Sequence, residues 1–253
     1  TSDNGENSSE LIFSTNDIVG VTNGNTMRGF WMSCLHYNQT PSGWNGFTTL
    51  ADFYDSFEET DIRRGTELPI LKAQTGLRAG LLFGQQYNKD GVALNDRQGN
   101  PLFFTKESPI IVSGAALEVS GIRVMKWIPD LTTAAAESNP GNDFSFFRYA
   151  DVLLMKAEAL MRKGDNAGAL AIVNELRAVR GATAMASLDE AKLLAERGRE
   201  MYMEGWRRND LVRFGKFLEP WAEKPASDPK YLLYPFPSAQ IVANPSLQQN
   251  PGY

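Results

Sequence analysis

The sequence predicts a mainly α-helical protein organised around tetratricopeptide-like helical hairpins, with long irregular loops and a small β-hairpin. The first observation is the stretch from Phe146 to Gly181. There Tyr149, Leu153, Ala157 and Leu160, then Ala169, Ile172, Val173, Leu176 and Val179, recur at helical spacing on either side of a Lys-Gly-Asp-Asn break. Small Ala157 and Ala169 stand where two antiparallel helices must cross closely, and Gly164 marks the turn, as in a tetratricopeptide unit. The second is the contrast upstream, where residues 1–142 are interrupted by Gly, Pro and Asn every few positions and keep no sustained helical period. The third is Leu81 to Thr105, two apolar arms around Lys-Asp-Gly and Asp-Arg-Gln-Gly-Asn-Pro turn chemistry, which reads as a hairpin.

These textures divide one region, 1–253, into a loop-rich part, 1–142, and a helical scaffold with an extended tail, 143–253. A short helix is expected over Leu50 to Glu58, with Phe53 and Phe57 one turn apart. The first helix of the hairpin is apolar on most of its circumference, so it should be covered on two sides. Ser187 and Glu190 have the spacing of a capping box for a third helix, with breaks expected near Gly205 and Gly215. Prolines in the last two dozen residues predict an extended tail lying against the body.

Composition narrows the function. With 253 residues and 42% hydrophobic content the chain can bury a core without a staple. One cysteine, Cys34, and one histidine, His36, allow no internal disulfide and too few ligands for a Cys/His zinc site. A net charge of −5 without a Lys/Arg run makes nucleic acid a poor partner. The longest apolar runs, such as Pro109 to Leu117, fall short of the roughly 20 residues of a membrane-spanning helix. Neither a phosphate-cradling glycine loop nor a Gly-x-Ser-x-Gly nucleophile turn is present, so no cofactor is expected.

Four blocks, "GWNGFTTLADFYDSFEETDIRR", "FRYADVLLMKAEAL", "AERGREMYMEGWRRNDLVRFG" and "YLLYPFPSAQIVANPSLQQNPGY", together resemble the SusD/RagB family. The resemblance implies a SusD-like α/α fold and a surface-exposed, glycan-binding lipoprotein at the extracellular face of the outer membrane of Bacteroidetes. It also implies a SusC-like TonB-dependent transporter as partner. Family members carry a lipid-anchored cysteine and an N-terminal half of helical repeats. Cys34 does not match that anchor, and this chain looks like the C-terminal half, with the N-terminal repeats missing. The expected consequence is a helical hairpin with an uncovered apolar face.

With sugar as a candidate ligand, His36 to Phe47 becomes the focus. A pyranose has an apolar C–H face that lies on aromatic rings and a hydroxyl rim that needs amide or imidazole partners. Trp31, His36, Tyr37, Trp44, Asn45 and Phe47 supply that mix, and Tyr87 is a further candidate on a second loop. Against this stands a purely structural reading, in which Trp44 plugs the loop and Asn45 bonds backbone, while Tyr87 serves as a strand residue. Glu196, Arg197, Glu200, Glu204, Arg207, Asp210 and Arg213 are expected to form an ion network tying helix to tail. Glu200 and Glu204 lie one turn apart on one helix, a poor arrangement for a glycosidase pair flanking a substrate. Asp52, Asp55, Glu58, Glu59 and Asp61 read as a solvated acidic face, with Arg63 and Arg64 as counter-charges. The expected function is non-catalytic oligo- or polysaccharide capture, and the alternative is a helical-repeat protein-interaction module.

Overall fold

Leu81 and Leu82 are adjacent on a strand and so point to opposite faces, an alternation that builds the two apolar cores of the molecule. In the computed structural model, which describes residues 8–19, 21, 25–108, 115–131, 140–222 and 224–253, they belong to β3, Ala79–Leu82. This strand lies between β2, Gly65–Thr66, and β6, Arg123–Met125, in an antiparallel sheet of order β2-β3-β6. Leu82 and Met125 pack on one side with Trp31 and Met32 of helix α1, Asn25–Cys34, with Leu35 just after it, and with Leu71 of α3, Pro69–Thr75. Leu81 and Val124 face the other way, onto Cys34, Phe57 and Ile122, and onto Tyr54 of α2, Ala51–Asp55. The aromatic pair expected here forms, with Phe53 and Phe57 edge to face at 5.1 Å.

The predicted hairpin is present as a pair of short strands, β4, Gly84–Gln85, and β5, Phe103–Phe104, continued by bridges Tyr87–Ala93 and Asn95–Pro101. Two side chains fold its turns. The Asn88 carboxamide oxygen accepts from the amides of Asp90 and Val92, and the Asp96 carboxylate from those of Gln98 and Asn100. A second ribbon lies outside the sequence reading: β1, Leu11–Ser14, pairs antiparallel with β7, Ser145–Arg148. The irregular register of this ribbon gives no clean period-two signal.

The helical hairpin follows as α4, Tyr149–Arg162, and α5, Asn166–Val179. Ala157 and Ala169 are fully buried at the crossing, Gly164 turns the chain at φ +88°, and Asp165 caps α5 by accepting from the Gly168 amide. Tyr149, Val152 and Met155 of α4 are exposed, so an apolar stripe of this helix stays in solvent. The third helix, α6, Glu190–Met201, is capped by Asp189, not Ser187: the Asp189 carboxylate accepts from the Lys192 amide, while the Ser187 hydroxyl takes the Lys192 ammonium. The sequence Ser-Leu-Asp-Glu offers two caps, and the acid one residue before the helix wins.

α6 carries the ion network. The Glu200 carboxylate accepts from Arg148 at 2.7 Å, Arg180 at 2.7 Å and Arg63 at 2.9 Å, while Glu196 accepts from Arg177 and Arg199 and forms an ion pair with Arg63. Glu204 holds Arg148 and Lys126, and Arg197 reaches Asp151 of α4 at 3.0 Å. Burial alone would raise the Glu200 carboxyl, but the Arg180 hydrogen bond and the surrounding guanidinium groups hold it far below the usual carboxylate range. Burial also pushes the Lys126 ammonium down to about 8, despite Glu204 beside it. The tail is the expected partner of these acids; apart from Arg199 of α6 itself, the arginines and lysine that hold them come from upstream segments, between Arg63 and Arg180. Asp61 is likewise no solvated acid: it is buried and bonded to Arg63 through two oxygens, and Glu58 pairs with Arg177.

Residues 1–204 and 205–253 form two compact units. Within the second, α7, Arg207–Arg213, lies between Gly205 and Gly215, as the breaks predict, and Asp210 pairs with Arg213. The tail is less extended than its prolines suggest, because Pro237 stands immediately before a helix and α8, Ser238–Ala243, starts there. Its end folds back: the Asn250 carboxamide donates to the Tyr234 carbonyl and the Tyr253 hydroxyl to that of Leu233. Residues 109–114 and 132–139 lie outside the described residues, which includes most of the Pro109 to Leu117 run.

Replacing Glu200 by Gln leaves Arg63, Arg148 and Arg180 facing one another without their shared anion. A loss of about 3–5 kcal/mol in unfolding free energy is expected, read by urea denaturation against the parent chain.

Candidate functional site

The loop from His36 to Phe47 is the lid on the end of α1. A helix leaves its last carbonyls without intrahelical donors, and here the loop supplies them. The amides of Trp44, Gly46 and Asn45 donate to the carbonyls of Met32, Ser33 and Leu35, at 2.6, 2.8 and 2.8 Å, the Phe47 amide also donates to Ser33, and the Gly43 amide donates to His36. This backfolding explains the glycine: a Cβ on residue 43 would stand 2.1 Å from the Leu35 carbonyl oxygen.

Beneath the loop the polar groups are satisfied. Asn45, in the left-handed region at φ 53°, donates to the Glu118 carbonyl and accepts from the Arg123 guanidinium. The His36 ring is fully buried. Its Nδ1 accepts from the Asn38 amide, and its Nε2–H donates to the Glu118 carboxylate at 2.8 Å. Burial lowers the His36 pKa, with Glu118 acting in the opposite sense, so the neutral Nε2–H tautomer fits both contacts. Glu118 is the hub. Its carboxylate also accepts from the Arg97 amide at 2.8 Å and from Arg97 Nε at 3.1 Å, and these donors hold it below its usual range although burial works to raise it. The Arg97 guanidinium lies over the Tyr37 ring, 4.4 Å from its centre. Asn38 and Gln39 complete the join to the hairpin by donating to the Asn95 carbonyl and to the Gln86 side chain.

The candidate residues therefore separate by depth. Trp44 is 59% exposed, Phe47 67% and Tyr37 38%, three rings held on one loop whose backbone is pinned to α1. Trp31, 1% exposed, is a core residue against the sheet, and His36 is closed off beside Glu118. Burial removes both from the reach of a ligand: a tryptophan on the inner face of a helix goes to the core, and the imidazole is engaged at both nitrogens. Asn45 holds the loop with both ends of its amide. Tyr87 is half exposed on the other turn of the hairpin, next to Gln86. Two residues of the site escape a sequence reading, Arg97 and Glu118. Arg97 stands inside recognised turn chemistry, but nothing in its neighbours links it to residue 118.

A model described as the SusD family matches residues 9–228. The chain is 34% identical over 146 residues to the starch-binding protein SusD of Bacteroides thetaiotaomicron, a match covering 53% of this chain and 26% of that protein. Its fold is similar to a SusD-like protein from Bacteroides fragilis, with a TM-score of 0.67 at 20% identity, over 99% of this chain and 55% of the other. It is also similar to a laminarin-binding SusD-like protein, with a TM-score of 0.64 at 24% identity, over 100% of this chain and 51% of the other. The chain thus spans about half the length of these solved relatives.

Two outcomes are expected from this geometry. Gly43→Ala forces the loop off the α1 carbonyls and lowers stability by ~2 kcal/mol, measured by chemical denaturation. Because the folded pKa of His36 is depressed, its contribution is full above about 6.5, the ordinary imidazole value, and is lost as the pH falls below it. The unfolding midpoint followed from pH 7.5 to 5 should decline, and His36→Asn should flatten that decline.

Proposed function

The chain belongs to the SusD family, and on that premise we propose that it binds oligo- or polysaccharide without chemical turnover, through the rings of Tyr37, Trp44 and Phe47. The observation that carries this reading is the contrast within one loop. Its backbone and its buried polar groups are bonded inward, while its flat apolar surfaces stay in water at a cost of unburied area. Such rings offer C–H stacking to a pyranose, and the fixed backbone spares part of the ordering cost of binding. Two relatives carry names that state a glycan ligand, starch in one and laminarin in the other.

The finer parts of the proposal follow the family. Residues 1–142 carry the glycan-facing surface and 143–253 the scaffold. Delivery is to a SusC-like TonB-dependent transporter, at the extracellular face of the outer membrane. Among the described residues, no helix is long and apolar enough to cross a membrane. Catalysis is left out because the conspicuous carboxylates of α6, Glu196, Glu200 and Glu204, are bonded to arginines and Lys126, and an acid held ionised is a poor proton donor.

The exposed stripe Tyr149, Val152 and Met155 favours a second role for the α4–α5 pair. We read the pair as a tetratricopeptide-type unit whose free side receives another helical repeat, as from an N-terminal half.

Calorimetric titration with neutral oligosaccharides tests the proposal. Saturable binding is expected, weakened about tenfold by Trp44→Ala, with the melting temperature nearly unchanged because the ring is mostly in solvent. If no glycan of a broad panel binds, or if Trp44→Ala binds as well as the parent, the proposal is wrong.

A further inference from the structure

We propose that Arg97 makes this site select glycans that carry an anionic substituent, a carboxylate or a sulfate ester. The inference rests on the glycan-binding reading above and assigns it a ligand class. Its ground is the way Arg97 is held. The backbone amide and Nε are both bonded to the buried Glu118 carboxylate, which the buried His36 ring fixes from the other side. The guanidinium is thereby oriented from its inner edge. Its two terminal nitrogens have no hydrogen-bond partner among the described residues, and the side chain is 61% exposed. An arginine anchored through Nε and open at both Nη atoms presents the planar fork that matches a carboxylate or sulfate. It does so over the face of Tyr37, on the loop that carries Trp44 and Phe47.

The local charge points the same way. Arg123 lies buried beneath the loop, and among the described residues its four hydrogen bonds go to neutral oxygens: the Asn45 carboxamide and the carbonyls of Glu118, Ser120 and Gly121. Burial lowers its pKa to about 10, which leaves it charged at neutral pH. Glu118 thus answers Arg97 with its carboxylate but meets Arg123 only through its carbonyl, with a neutral imidazole beside it. The adjacent acid, Asp96, is turned into its own loop, where it accepts from the amides of Gln98 and Asn100. Asp96 balances the charge in sum, but its oxygens are taken up by that turn, which leaves the Nη edge of Arg97 open to an anion.

Matched ligand pairs test this: oligogalacturonate against its methyl ester, and a sulfated galactan oligosaccharide against the desulfated form, each titrated into the parent chain, Arg97→Gln and Arg97→Lys. At least one acidic member should bind about tenfold or more tightly than its neutral counterpart. Arg97→Gln should abolish the acidic preference, so that the two members of a pair bind equally, with Arg97→Lys keeping part of that preference. The pair that responds identifies the anion as carboxylate or sulfate. Equal affinity within both pairs, or an acidic preference that survives in Arg97→Gln, overturns the inference. If neutral members bind and Trp44→Ala weakens them while acid adds nothing, this inference alone falls; if nothing binds, the glycan reading falls with it.

Discussion

The Glu200 carboxylate is the point at which four parts of the first unit meet. It lies on α6 and takes hydrogen bonds from Arg63 after α2, Arg148 at the end of β7 and Arg180 after α5, while Arg148 also reaches Glu10 beside β1. Such a buried cluster is weak evidence for high stability, because desolvating each ion opposes the attraction between them. What it supplies is position. A hydrophobic face tolerates sliding, whereas a carboxylate shared by three guanidinium groups fixes each of them in distance and direction. The ribbon and the helical hairpin are registered against α6 by those directions.

That arrangement separates holding from binding. The charges that a sequence displays most densely, those of Glu196 to Glu204, look inward and are consumed by the scaffold. The site is built at the other end of the chain's chemistry, from loop backbone. Its rigidity comes from donors that α1 needs anyway, so the same hydrogen bonds complete a helix and stiffen a ligand surface. Glu118 joins the two halves of that surface, since its carbonyl accepts from Asn45 and Arg123 while its carboxylate engages His36 and Arg97.

Legibility in the sequence followed the range of the interactions. The α4–α5 hairpin, with Ala157, Ala169 and Gly164 in their expected roles, could be read because its signals are local and periodic. The two Asx turns of the hairpin could be read because Asn88 and Asp96 act on amides two to four residues away. The β1–β7 ribbon could not, since it joins residues more than a hundred positions apart through irregular short strands. Trp31 is hard to place for a related reason: ten helical residues that mix Phe, Trp and two Met with Asn, Thr, Arg, Gly and Ser give little sign of which side meets a sheet formed much later in the chain. His36 looked like a ligand group because a lone histidine in a polar loop shows nothing of the glutamate 82 positions away that closes it off.

In the proposed binding mode the site has its specificity and its affinity on different atoms. Stacking area comes from Trp44 and Phe47, which are indifferent to which sugar lies on them, because every pyranose has an apolar face. Discrimination must come from directional groups, and most of those near the loop are already engaged: Asn45 by Arg123 and Glu118, His36 by Asn38 and Glu118, Gln39 by Gln86. Internal satisfaction of the amides leaves the exposed edge of Arg97 as the group with donors to spare. On that proposal, a loop that spends its neutral hydrogen bonds on its own shape retains charge as its means of telling one glycan from another.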